Sequence, residues 1–78
     1  MTNQLLLIIK FINFLAMEGA NITEFQLRDD KSSIVTVDGE IEHLKVLKSH
    51  MQEAQYILYQ NAIYTSISGE VWLKEASL

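Results

Sequence analysis

From Leu5 to Met17 the chain reads LLLIIKFINFLAM, and only Lys10 and Asn13 are polar. Polar or weakly apolar positions at Asn3, Lys10, Asn13 and Met17 fall in a narrow stripe at helical spacing, which predicts a helix from about Asn3 to Glu18. Gly19 is placed to end it in a left-handed conformation. A surface helix needs one apolar stripe; this one has nearly enough for two. The period then changes. Thr23, Phe25 and Leu27 alternate with Glu24, Gln26 and Arg28, as in a half-buried strand. Asp29 to Ser32 read as a turn, and the β-branched Ser33 to Val37 as the partner strand. Two registers fit: a four-residue loop pairs Leu27 with Ile34, and a three-residue loop pairs Phe25 with Val35.

Beyond this hairpin, Leu44, Leu47, Met51, Ala54 and Leu58 form an apolar seam at alternating spacings of three and four. That spacing predicts a second helix from about Gly39 to Gln60, capped by Asp38, with Glu40 and Glu42 suited to its N-terminal dipole. Asp38-Gly39 is also a hairpin signal, which would make Glu40 to His43 a third strand; the long seam favours the helix. The last segment, AIYTSISGEVWLKEA, predicts a second hairpin. A loop of Ile67, Ser68 and Gly69 would pair Thr65 with Val71 and Ile63 with Leu73, and set Tyr64 opposite Trp72 on the other, open face. The expected fold is therefore α+β, a single domain over residues 1–78. Its element order is α-β-β-α-β-β, with an antiparallel sheet of about four strands and two helices packed on one face.

Size sharpens the question of the first helix. A chain of 78 residues buries only about 60% of the surface its unfolded form exposes. Disulfides, metal or association usually compensate, and the chain has no cysteine. An apolar fraction of 49% is high for so small a domain. The net charge is −4, with six basic residues spread along the chain and Arg28 the only arginine. A nucleic-acid binder shows a basic patch, so this balance argues against one, although Arg28 and Lys31 would be its candidates. The opening run is a poor secretory signal, because Lys10 interrupts it and Glu18 sits at the minus-three position of the natural cut near Ala20. It is also short of the roughly 20 apolar residues of a spanning helix. A helix lying on a membrane surface would want a Lys/Arg-rich face, which Lys10 alone does not supply.

Catalytic and metal chemistry find little to work with. His43 and His50 are seven apart, which on a helix separates them by about 10 Å, too far to share one ion. No serine lies in a G-x-S-x-G setting, and no glycine-rich loop resembles a phosphate or dinucleotide cradle. The carboxylate pairs Asp29/Asp30 and Glu40/Glu42 read as a turn and a helix start. No catalytic residue, cofactor or metal is assigned. What remains is apolar surface. Leu6, Ile9, Phe14 and Leu7 are left over once the first helix has laid one face on the sheet. Tyr64 and Trp72 form the expected aromatic pair of the open sheet face, and such residues are enriched at binding hot spots. The protein-interface set is thus Leu6, Ile9, Phe14, Tyr64 and Trp72. The expected partner is a second copy in a homodimer, another protein, or both. The function this suggests is a cytoplasmic, non-enzymatic accessory or inhibitor protein, of the small acidic kind carried by phages and other mobile elements.

Overall fold

A computed structural model describes residues 3–28, 32–48, 55–67 and 71–77. One helix, α1 (Asn3–Met17), precedes six strands: β1 (Ile22–Leu27), β2 (Ser32–Val37), β3 (Glu40–Lys48), β4 (Gln55–Tyr59), β5 (Ala62–Ile67) and β6 (Val71–Ser77). The strands form a single antiparallel meander in chain order, with β1 and β6 at its edges. The order α-β-β-β-β-β-β replaces the expected α-β-β-α-β-β, and a mostly-β domain with one helix replaces two helices on about four strands.

The second helix is the element that the structure overturns, and its ends show why. Asp38 and Gly39 both have positive φ, 53° and 85°, and Val37 pairs with Glu40 across them. This is a two-residue hairpin turn whose twist matches the flanking strands. Asp38 therefore turns the chain back instead of capping a helix. Its N–H donates to the carbonyl of Asn21, and its Oδ1 accepts from the Asn21 N–H at 2.9 Å, tying the turn to the start of β1. Gln60 and Asn61 repeat the device with φ of 51° and 59°, joining Tyr59 to Ala62. Between these turns, the residues of the supposed helical seam obey period two. Leu44 and Val46 point inward and are buried, while His43 and Lys45 point outward and are exposed. On β4, Ile57 and Tyr59 point inward and Leu58 outward. Met51 and Ala54, the middle of the seam, lie outside the described residues.

The first helix has the predicted extent and stop. Gly19 has φ 105°, its N–H donates to Ala16, and the Ala20 N–H donates back to Leu15. This pair of bonds is a Schellman cap, which satisfies carbonyls the helix leaves open. In the first hairpin, Phe25 pairs with Val35 and Leu27 with Ser33, the three-residue-loop register of the two alternatives. A bulge between Ile22 and Glu24 breaks the alternation at its start.

The core lies between α1 and one face of the sheet. Ile8, Phe11 and Leu15, spaced three and four apart, meet Val35, Val37, Leu44, Val46, Ile57, Tyr59 and Trp72. Phe11 is the centre. Its ring lies 5.0 Å from Trp72, 5.3 Å from Tyr64 and 5.5 Å from Tyr59, each edge to face. Removing such a ring from a core costs about 3–5 kcal/mol, a large share of what a domain this small has.

Candidate protein-interaction surfaces

Two apolar surfaces stay uncovered among the described residues. The first is the outward stripe of α1. Leu6 is 50% exposed, Ile9 42% and Met17 78%, and each follows from the geometry of a helix whose Ile8, Phe11 and Leu15 face the sheet. Together with Lys10, Asn13 and Phe14 these residues line a groove of about 300 Å³. Phe14 is not free in it: the ring is partly buried, 6.0 Å from that of Phe11. Leu7 likewise packs against the core. So the helix leaves Leu6 and Ile9 out and draws Leu7 and Phe14 in. Met17, counted as a weak position in the sequence pattern, is the most exposed apolar residue of the helix.

The aromatic pair is placed differently from expectation. Tyr64 and Trp72 do share a face, but it is the helix face. Trp72 is only 5% exposed, and both rings pack on Phe11. The register is two residues away from the expected one: Thr65 pairs with Leu73, Ser66 with Trp72 and Tyr64 with Lys74. The turn joining β5 to β6, residues 68–70 with Gly69 among them, lies outside the described residues. The reason for the inversion is the sheet's size. With strands where the second helix was expected, α1 alone covers the inner face, and the largest side chains of β4 to β6 converge under it. The indole Nε1 of Trp72 and the hydroxyl of Ser66 are buried there without a hydrogen-bond partner, as is the Ser33 hydroxyl on β2.

The second uncovered surface is therefore the opposite sheet face, mostly apolar toward β6, with Lys45 beside Leu58. The pairing sets Leu47 beside Tyr56, Tyr56 beside Thr65, Thr65 beside Leu73, and Leu58 beside Ile63. Leu47, Tyr56, Leu58 and Ile63 are half-buried among such neighbours, while Leu73 and Val71 at the β6 edge are 50% and 55% exposed. Sequence reading missed this surface because it assigned Leu44 to Leu58 to a helix. The available signal was the run YILY (Tyr56–Tyr59), apolar at consecutive positions, the mark of a strand covered on both faces. Toward β1 the same face becomes polar, with Glu24, Gln26, Thr36 and Ile34 around a shallow depression at that edge.

Burial pushes the Tyr59 phenol above its ordinary value of 10.0, helped by the nearby Glu42, Tyr64 and Asp38. That stabilises the neutral ring in the core. His43 is exposed on the open face of β3, and His50 lies outside the described residues. Among the described residues no three His, Cys, Asp or Glu side chains gather to hold a metal ion, and no helix is long and apolar enough to cross a membrane. No protein-family profile matches the chain, and no curated protein or solved structure is significantly similar to it.

Proposed function

We propose that this chain is a non-enzymatic, cytoplasmic protein-binding module, an accessory or inhibitor protein whose binding element is the outward stripe of α1. The observation that carries the reading is the exposure of Leu6, Ile9 and Met17 in one line around a groove, on a helix whose other face already holds the core. Exposed apolar side chains aligned over three turns are the usual receptor for an apolar ridge of another protein. Lys10 and Asn13 add polar groups inside the groove, which orient such a ridge. Burying each half-exposed aliphatic side chain is worth about 1 kcal/mol, so the stripe supplies affinity through several residues together.

The test is substitution of a groove residue that the core does not use. Ile9→Glu, with Met17→Glu as an independent second variant, is expected to lower capture of the cellular partner at least tenfold. Circular dichroism and the emission of buried Trp72 should stay as in the unchanged chain. If both variants retain the same companions in the same amounts, the helix stripe is not the binding element.

A further inference from the structure

We infer that the open edge of β1 is a self-association element: two copies of this chain join there strand to strand about a two-fold axis, setting Glu24 of each opposite Arg28 of the other. The helix stripe is then left for the foreign partner. The inference stands on different residues from the proposed function and does not need it.

An edge strand presents a row of unpaired backbone N–H and C=O groups, and their natural complement is another strand. The sheet has two such edges, β1 and β6. β6 is guarded. Lys74 pairs with Tyr64, whose ring packs on Phe11, so its charge stands on the helix side of the sheet, and the register slips beside it, between Ile63 and Tyr64. An inward charge and a bulge are both ways in which an edge refuses a partner. β1 has neither from Glu24 onward. Its irregularity lies at the start, between Ile22 and Glu24, and its pairing with β2 is regular from Glu24 to Leu27. The side chains it turns to the helix side, Phe25 and Leu27, are apolar and 39% and 44% exposed.

Backbone direction and charge together choose the occupant. The Arg28 N–H donates to the Ser32 carbonyl at 2.9 Å. Backbone direction alternates along an antiparallel strand, so Glu24, Gln26 and Arg28 turn their groups toward β2, while the N–H and C=O of Phe25 and Leu27 point out of the sheet. Two copies placed antiparallel with Gln26 facing Gln26 bring Phe25 of each beside Leu27 of the other, and the outward groups of that pair exchange both backbone bonds. The same register sets Glu24 opposite the partner's Arg28 at both ends of the contact. Those are non-hydrogen-bonded positions, where facing side chains come closest, and a carboxylate and a guanidinium attract there. The next registers on either side set Glu24 opposite Gln26, or Gln26 opposite Arg28, and lose both charge pairs. Glu24 and Gln26 border the shallow depression at this edge, with Ile34 and Thr36 beside them, which leaves room for the arm of the partner's Arg28. The two-fold axis of such a pair stands perpendicular to the sheet, so both helices lie on one side of the joined sheet and one edge serves both copies. A foreign strand would have to match this pattern of charges; a second copy carries it already.

The experiment is light scattering behind size-exclusion chromatography on the purified full chain over a dilution series. The unchanged chain is expected to reach twice 8.9 kDa at the concentrated end. Glu24→Arg and, separately, Arg28→Glu turn both cross-strand pairs into like charges, and each is expected to raise the dimer dissociation constant about tenfold. The two variants move the net charge in opposite directions, so a loss shared by both is not a general charge effect. The double variant Glu24→Arg/Arg28→Glu exchanges the charges in place and is expected to restore the unchanged value. These side chains are exposed, so circular dichroism and Trp72 emission should stay the same in all three. Leu27→Pro removes an outward N–H that β2 does not use and is expected to leave a folded single chain. A chain that is monomeric at every concentration overturns the inference, as does a dimer indifferent to both single reversals or one that the double exchange fails to restore. A dimer dissolved by Ile9→Glu but not by Leu27→Pro assigns self-association to the helix and equally overturns it.

Discussion

Tyr59 shows how single residues serve this fold. Its ring faces Phe11 at 5.5 Å and its phenol is held neutral by burial and by the charge of Glu42 nearby. A phenol whose folded pKa lies above its unfolded value binds more protons in the native state at high pH. Its contribution is therefore complete below about pH 10, the unfolded value, and is lost as pH rises through the raised folded value. Denaturant unfolding followed from pH 8 to 11 should show stability falling less steeply for Tyr59→Phe than for the unchanged chain. Parallel curves would mean that the phenol titrates as freely in the native state as in the unfolded one. The unpaired hydroxyls of Ser33 and Ser66 and the Trp72 indole belong to the same scale, because each places a polar group where only apolar contacts are available. At this scale the sequence was legible in part. Leu6 and Ile9 are surface residues by their spacing alone. Trp72 reads as a surface hot spot by type, yet it is core, because residue type says nothing about which face of a sheet a helix covers.

At the scale of elements, α1 and the first hairpin could be read because each carries a single period with a stop signal. Gly19 ends the helix at a positive φ, and Phe25 alternates with Gln26 along β1. The segment from Glu40 to Tyr59 carries two periods at once. Leu44, Leu47 and Leu58 fit a helical seam, while Leu44 and Val46 inward with His43 and Lys45 outward fit a strand. What decides between them is turn chemistry. Asp38-Gly39 reverses the chain at one end and Gln60-Asn61 at the other, and the second pair lacks the glycine that would have made it recognisable. That absence has a cost, since a non-glycine residue held in the left-handed region is disfavoured by about 1–2 kcal/mol. The double substitution Gln60→Asn with Asn61→Gly supplies the preferred turn pair. It is expected to stabilise the chain by about 1 kcal/mol, which raises Tm by roughly 4–8 °C for a domain this size. Thermal melts read by Trp72 fluorescence check this, and an unchanged Tm would show that the turn stores no strain.

For the whole molecule, one short helix is asked to cover one side of a six-stranded sheet, and it leaves two apolar surfaces back to back. The helix contacts β1, β3 and β6, so it crosses the inner face from edge to edge. Even so, Phe25 and Leu27, on the same side at the β1 edge, stay exposed. The outer face has no cover among the described residues. A chain with a marginal core, no disulfide and two such surfaces gains most by association. The sequence already pointed there through its 49% apolar content and the excess of the first helix. It could not say that a second spare surface lies on the sheet, because that surface exists only if Glu40 to Tyr59 are strands. The central claim is that another protein, not a small molecule or a reaction, occupies the outward stripe of α1. Native mass spectrometry of tagged chain recovered gently from its own cells tests this most directly. The account predicts a species holding the 8.9 kDa chain together with a foreign subunit, and loss of that subunit in Ile9→Glu. Recovery of the bare single chain under every gentle condition would contradict it.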